Sequence, residues 1–256
     1  MTEKELAIEV RGNTAWLTIN RPDKRNSISP EVVELFGEAL DSVAKDDTVR
    51  VAVITGAGDR AFCSGADLSG GDMAGRKATV LRYAQLLKRI YTFPKPTVAR
   101  VNGHCLAGGT GFMLACDIVV AKKSAMFGTP EVNVGLFPMM IGALIFRNVP
   151  RKKAMEMVLL GERLTAEQAL DMGLVTRVVD DEQLDREVDD LLNKLAEKSP
   201  AAMRIGKEAF CAAEEMRFGD AVDFLALKLL DVADTEDARE GITAFLEKRR
   251  PLFTGK

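Results

Sequence analysis

Three stretches of this chain combine residue types that can do chemistry: AFCSGADL at 61–68, VNGHCLAGGTGFMLACD at 101–117 and FGTPEVNVGLFP at 127–138. The second has the most to offer. An apolar run from Thr97 to Val101 reads as a buried strand, Asn102-Gly103 as a turn, and Gly108-Gly109 as the entry to a helical run ending in Phe112–Ala115. The first-turn amides of a helix have no intrahelical partner, and the helix dipole adds partial positive charge there. Glycines let a ligand approach that backbone closely. Such an end suits a developing oxyanion or a phosphate. The same pair also suits a tight turn that needs small residues only for packing.

The third stretch supplies one carboxylate, Glu131, among Val132, Val134, Leu136 and Phe137. Apolar surroundings disfavour the charged form and bring a carboxyl closer to the pKa of a working base. A loop glutamate that caps residues 128–133 or pairs with a cation is the plainer reading. His104, the only histidine, reads as a turn residue or, with a perturbed pKa, as a proton carrier. Cys63 and Cys105 lack an activating base and read as small packed side chains. Asp67 reads as a cap for local amides.

The elements that must position these groups alternate. Leu6–Val10 and Ala15–Ile19 around Gly12-Asn13 read as a hairpin. Ser29-Pro30 starts a helix whose apolar positions run from Val32 to Val43. Val49–Thr55 is a β-branched run suited to a doubly covered strand. Residues 69–75 read as a mobile loop and Lys77–Tyr91 as a helix, while Ile118–Val120 and Met126-Phe127 look like strand and residues 128–142 like loop. Thr165 and Gln168 form a capping box, Gly173 stops that helix, and Leu174–Val179 is a last strand. Ser199-Pro200 opens further helices. The pattern predicts an α/β layered core over 1–195 with a helical region, 196–256, belonging to the same structural unit. A composition shift near residue 180 is the one boundary signal.

Composition narrows the function. With 47% hydrophobic residues the chain can bury a sizeable core. A net charge of −3 and a pI near 5.5 lack the basic footprint of nucleic-acid binding. No apolar run is long enough to span a membrane, and MTEKELAIEV lacks the apolar core of a secretory signal. The four cysteines show no C-x-x-C spacing, so no metal site or disulfide framework is expected. A soluble cytoplasmic protein without nucleic-acid or membrane partners is the expectation.

The segments RPDKRNSIS, AFCSGADL, VNGHCLAGGTGF and FGTPEVNVGLFP, in this order and spacing, resemble the crotonase family of enoyl-CoA hydratases and isomerases. The likeness extends to LTAEQALDMGLV and FLEKRRPLF. It implies a spiral of ββα units, a C-terminal helical region used in trimerisation (as a trimer or a dimer of trimers), and acyl-CoA thioester substrates, with coenzyme A entering only as part of the substrate. Carried over residue by residue, it makes Ala66 and Gly108 the oxyanion-hole amides and Glu131 the acid/base. It sets Ala61, Gly65, Asp67 and Gly109 along the substrate, and Arg21, Lys24 and Arg25 near the nucleotide, whose phosphates are anionic. Lys248 and Phe253 add contacts there; a solvated loop and an exposed helix end are the plainer readings of these charges.

One departure bears on the reaction. Family hydratases hold a water between two glutamates, and the position of the first is Gly111 here. The glycine-rich segment after the second glutamate is replaced by Pro138-Met139-Met140-Ile141-Gly142, whose methionines shape an acyl pocket or simply fill core. One base can move a proton from C2 to C4 of an enoyl thioester; hydration usually asks for two groups. Isomerisation is therefore the expected reaction. Hydration through a replacement donor or water, and an acyl-CoA-binding relative with little catalysis, remain as alternatives. On this reading Gly111→Glu, if it folds, is expected to raise the hydration of a 2-enoyl thioester relative to isomerisation.

Overall fold

Strand β1 (Leu6–Arg11) and strand β2 (Thr14–Ile19) form the expected antiparallel hairpin. Helix α1 (Pro30–Lys45) begins where the sequence places it, with the Ser29 hydroxyl accepting from the Val32 amide at 3.1 Å. The computed structural model describes residues 4–67 and 73–256. Of the loop expected at 69–75, residues 69–72 lie outside the described ones, and from Met73 the chain is already helical.

Two strands and a helix then recur. Strand β3 (Val51–Gly56), strand β4 (Ala61–Cys63) and helix α2 (Met73–Tyr91) make one turn of the chain. Strand β5 (Thr97–Val101), strand β6 (His104–Leu106) and helix α3 (Gly108–Leu114) make the next. Strand β7 (Ile118–Lys122), strand β8 (Met126–Gly128), a short 3-10 turn at Pro130–Val134 and helix α4 (Met139–Asn148) make the third. Helix α4 corrects the expectation of loop through residue 142: Pro138 ends the extended segment and the apolar run behind it packs as helix, burying Ile141, Leu144 and Ile145. Helix α5 (Arg151–Leu160), strand β9 (Leu164–Thr165), helix α6 (Ala166–Met172), strand β10 (Arg177–Val179) and helix α7 (Leu184–Ala196) follow. The chain ends in helices α8 (Pro200–Ala213), α9 (Phe218–Ala233) and α10 (Glu236–Leu246). The capping box at Thr165 and the left-handed Gly173 stop form as expected.

The first strand of each turn joins a large sheet, ordered β1-β2-β3-β5-β7-β10; the second joins a small one, ordered β4-β6-β8-β9. Strand β3 shows why its apolar run is unbroken. Successive side chains point to opposite faces, so Ala52 and Ile54 enter the main core while Val51 and Val53 face the other side. There α7 covers them with Leu184, Val188, Leu191 and Leu192, one helical stripe.

In the small sheet β4, β6 and β8 are adjacent and parallel. Their C-terminal ends therefore lie side by side, and from them run Ser64–Asp67, Ala107–Gly108 and Thr129–Glu131. Clefts at the carboxyl ends of parallel strands are where α/β folds place ligands.

Candidate active site

Ala66 forms an isolated parallel bridge with Ile28. The Ile28 amide donates to the Gly65 carbonyl at 2.8 Å and the Asp67 amide to the Ile28 carbonyl at 2.9 Å. In such a pairing the middle residue turns its own N–H to the opposite side. That side faces α3: a methyl placed on Gly108 would stand 3.5 Å from the Ala66 nitrogen. Gly65 makes the approach possible, since it has φ of +97° and a side chain there would lie 2.6 Å from the Ala107 methyl and 3.1 Å from the Gly108 nitrogen.

Gly108 is the first residue of α3, so its N–H has no intrahelical partner. The residue before it is unusual. Ala107 has φ of 51° and ψ of −130°, a conformation that costs a non-glycine residue about 1–3 kcal/mol. It is pinned by its amide, which donates to the Gly128 carbonyl at 2.9 Å, and by its carbonyl, which accepts from Thr110 at 2.9 Å. Gly109 seats α3 on β4, because a side chain there would collide with the Cys63 carbonyl.

Glu131 lies in the 3-10 turn three residues beyond that Gly128 carbonyl. It is half-buried, and its Oε2 is fully buried without a hydrogen-bond partner among the described residues. Burial raises its pKa above the ordinary carboxylate value, against a smaller opposing pull from its own backbone amide. Exposed Val134, Leu136, Phe137 and Met139 follow it as an apolar rim.

At Gly111 there is no room for a second carboxylate. A methyl there would stand 2.5 Å from Ile141 Cγ2, 2.6 Å from the Tyr83 hydroxyl and 3.2 Å from Leu87 Cδ2. Sequence reasoning missed Tyr83. It sits on α2, its hydroxyl donates to the Gly108 carbonyl, and its ring meets Phe112 edge-on at 5.4 Å.

The remaining candidates divide. Arg21 is committed internally, pairing with Glu5 and Asp67 at 2.9 Å each and donating to the Ser27 carbonyl at 2.8 Å. Asp67, read as an amide cap, is thus half of an ion pair. Lys24 and Arg25 are exposed, and Arg25 is left-handed at φ 51°. Arg25 and Ala61 line a cavity of about 710 Å³ that also takes in Arg60, Lys122, Arg163 and His104. The three additional cations come from separate elements, so no single motif announces them. His104 faces this cavity; its Nδ1 accepts from the Met126 amide at 3.2 Å. Partial burial, then Arg163 and Lys122, hold its pKa below the ordinary value, so it is uncharged near neutrality. Burial pushes the Cys63 thiol up to about 12 and raises Cys105 as well, which leaves both inert. Lys248 and Phe253 lie elsewhere: the Phe253 carbonyl accepts from Arg50 at 2.8 Å, just ahead of β3 and at the opposite end of that strand from the Ala61 loop.

Residues 9–256 match the family model described as enoyl-CoA hydratase/isomerase. The chain belongs to the enoyl-CoA hydratase/isomerase family. Among curated relatives, 2,3-dehydroadipyl-CoA hydratase of Escherichia coli is 38% identical, over 98% of this chain and 99% of the relative. The 1,2-epoxyphenylacetyl-CoA isomerase of the same organism is 37% identical, over 94% of each. A solved enoyl-CoA hydratase from Mycobacterium smegmatis superposes with a TM-score of 0.94 at 34% identity, covering 98% of this chain and 99% of that one. The fold is thus the crotonase fold, with its mixed sheets and C-terminal helical region. This hydratase/isomerase family member is an enzyme acting on CoA thioesters.

Proposed function

We propose that this enzyme shifts a double bond along an acyl-CoA thioester, with Glu131 as the only acid/base. The thioester oxygen sits between the Ala66 and Gly108 amides, which stabilise negative charge there. Glu131 takes a proton from C2 of a 3-enoyl thioester; the electron pair delocalises onto the thioester oxygen; the same carboxyl returns the proton at C4, leaving a 2-enoyl product. The observation that carries this reading is the asymmetry of the site. One half-buried carboxylate has a raised pKa and an enclosed Oε2 without a hydrogen-bond partner among the described residues, while the place of the second is filled by Tyr83 and Ile141.

The anionic end of coenzyme A is assigned to Lys24, Arg25 and the cavity where Arg60, Lys122 and Arg163 outnumber Asp23 and Asp59. Lys248 and Phe253 reach a nucleotide only if a neighbouring copy brings them. The trimer expected of the family fits this, and α9, which has no buried residue, presents the apolar surface it needs. Hydration is the second reading, favoured by relatives named hydratases, such as the (E)-benzylidenesuccinyl-CoA hydratase of Thauera aromatica at 35% identity.

Incubation with a panel of 2-enoyl and 3-enoyl CoA thioesters, reading hydration and isomerisation separately, decides between them. Turnover of 3-enoyl substrates without water addition supports the proposal. Efficient hydration of 2-enoyl substrates with no isomerisation overturns it.

A further inference from the structure

Helix α3 begins at the oxyanion-hole glycine without a side-chain cap. Its entry residue, Ala107, holds a conformation that alanine does not choose, so the surroundings must impose it. Two backbone bonds fix Ala107 from one side, through Gly128 and Thr110. On the other side the only side-chain hydroxyl bonded to the Gly108 carbonyl, in the peptide joining Gly108 to Gly109, is that of Tyr83 among the described residues.

Tyr83 is built for a fixed position. It is only 7% exposed, its ring meets Phe112 at an interplanar angle of 85°, and Phe112 in turn stacks on Phe36 of α1 at 5.2 Å. Gly108 and Gly111 share one face of α3, being three apart. The Tyr83 hydroxyl lies over that face, 3.5 Å from a methyl on Gly108 and 2.6 Å from one on Gly111. A point 3.5 Å from the hydroxyl is thus also 3.5 Å from the Ala66 amide nitrogen.

We propose that Tyr83 is a positioning residue for the oxyanion hole: its hydroxyl clamps the Gly108 carbonyl, in the peptide that follows the donor, and so holds Gly108 from its far side with its N–H toward the thioester oxygen. The inference rests on the enolate chemistry assigned above. Burial, with Cys63, Cys105 and Glu131 nearby, keeps the phenol protonated, so it remains a donor through the working pH range. It holds a proton rather than passing one. In this site a fixed hydroxyl occupies the volume from which a second carboxylate would have grown. Preorganised donors gain their effect from not having to reorient as charge develops, and a clamp on the next peptide, opposite the Ala107 anchor, serves that end.

The test uses acetoacetyl-CoA, a thioester whose enolate absorbs in the ultraviolet, bound to the full-length enzyme. Wild type should lower the enolisation pKa of the bound probe below its value in water. Tyr83→Phe should leave the dissociation constant of the probe within about twofold. It should reduce the enolate fraction at a given pH about tenfold, an upward move of about one pH unit. Tyr91→Phe, which alters the only other tyrosine, should change neither. A second measurement needs no change at Tyr83. With tyrosine Cζ labelled by carbon-13 in the Tyr91→Phe chain, the Tyr83 resonance should move on binding acetoacetyl-CoA but not on binding free coenzyme A. A wild-type enolate fraction in Tyr83→Phe, weaker binding with that fraction preserved, or a resonance indifferent to the probe overturns the assignment. If wild type itself fails to promote enolisation, the enolate chemistry falls first, a result distinct from any of these.

Discussion

The Tyr83 hydroxyl stands 2.6 Å from the point where a methyl on Gly111 would lie, and Ile141 Cγ2 stands 2.5 Å from the same point. Even alanine at 111 must displace both of these packed side chains. Overpacking of this kind costs about 1–3 kcal/mol. Gly111→Ala should therefore lower the melting temperature measurably. Gly111→Glu should destabilise further and gain no hydration, contrary to the expectation from the family pattern alone. A stable Gly111→Glu protein that hydrates 2-enoyl thioesters would show that α2 yields at Tyr83.

Glu131→Gln separates chemistry from stability. Losing the acid/base should reduce turnover by roughly 10²–10⁴-fold, with thioester binding nearly unchanged in calorimetry. The folded-state pKa of Glu131 is raised above the ordinary 4.5. The fold thus binds this proton more readily than the unfolded chain does, and the charged form costs stability above the raised pKa. Glu131→Gln should melt higher than wild type near neutral pH. The difference should shrink as pH falls through the raised pKa and vanish below the unfolded value. Activity of wild type should fall through the same window as the base is protonated.

Ala66→Pro replaces the amide proton with a ring carbon that projects into the same space. The bridge to Ile28 uses the Gly65 carbonyl and the Asp67 amide, not the Ala66 amide. Loss of one oxyanion donor typically costs about 3 kcal/mol of transition-state stabilisation, or 10²–10³ in kcat. Circular dichroism should be unchanged while turnover drops by at least that factor.

The C-terminal helices expose large apolar side chains, with Phe218 at 86% and Phe245 at 82%. Surfaces of this kind mark association sites. Light scattering should find wild type as a trimer or a multiple of it, and Leu229→Asp combined with Phe245→Asp should shift it to monomer. A wild-type monomer at micromolar concentration would remove the assembly from the proposal.

Much of the proposed site was legible because the donors proposed for it are backbone atoms. Gly65-Ala66 and Gly108 announce themselves through glycine, and the order of strand, turn and helix fixes where their amides go. Glu131 was legible as a carboxylate among apolar neighbours. The inward turn of Arg21 was not legible, because nothing local distinguishes which cation of Arg21, Lys24 and Arg25 is held by ion pairs; Glu5 and Asp67, far apart in the chain, decide it. Tyr83 was missed for the same reason. Its partner, Gly108, lies on another helix, and the packing of α2 on α3 alone gives the hydroxyl its place. Helix α4 was hidden behind Pro138, which reads as a loop residue but also serves directly before a helix.

Main-chain donors also bear on how such a site drifts over generations. The two amides survive almost any codon change at Ala66 or Gly108 that preserves the fold; proline alone deletes an N–H outright. On the proposed mechanism the base has no such protection, since one nucleotide change can convert Glu131 to another side chain. Inherited variation would then alter the fate of an enolate sooner than the capacity to form one. Lineages built on this scaffold are free to exchange reactions while keeping the thioester.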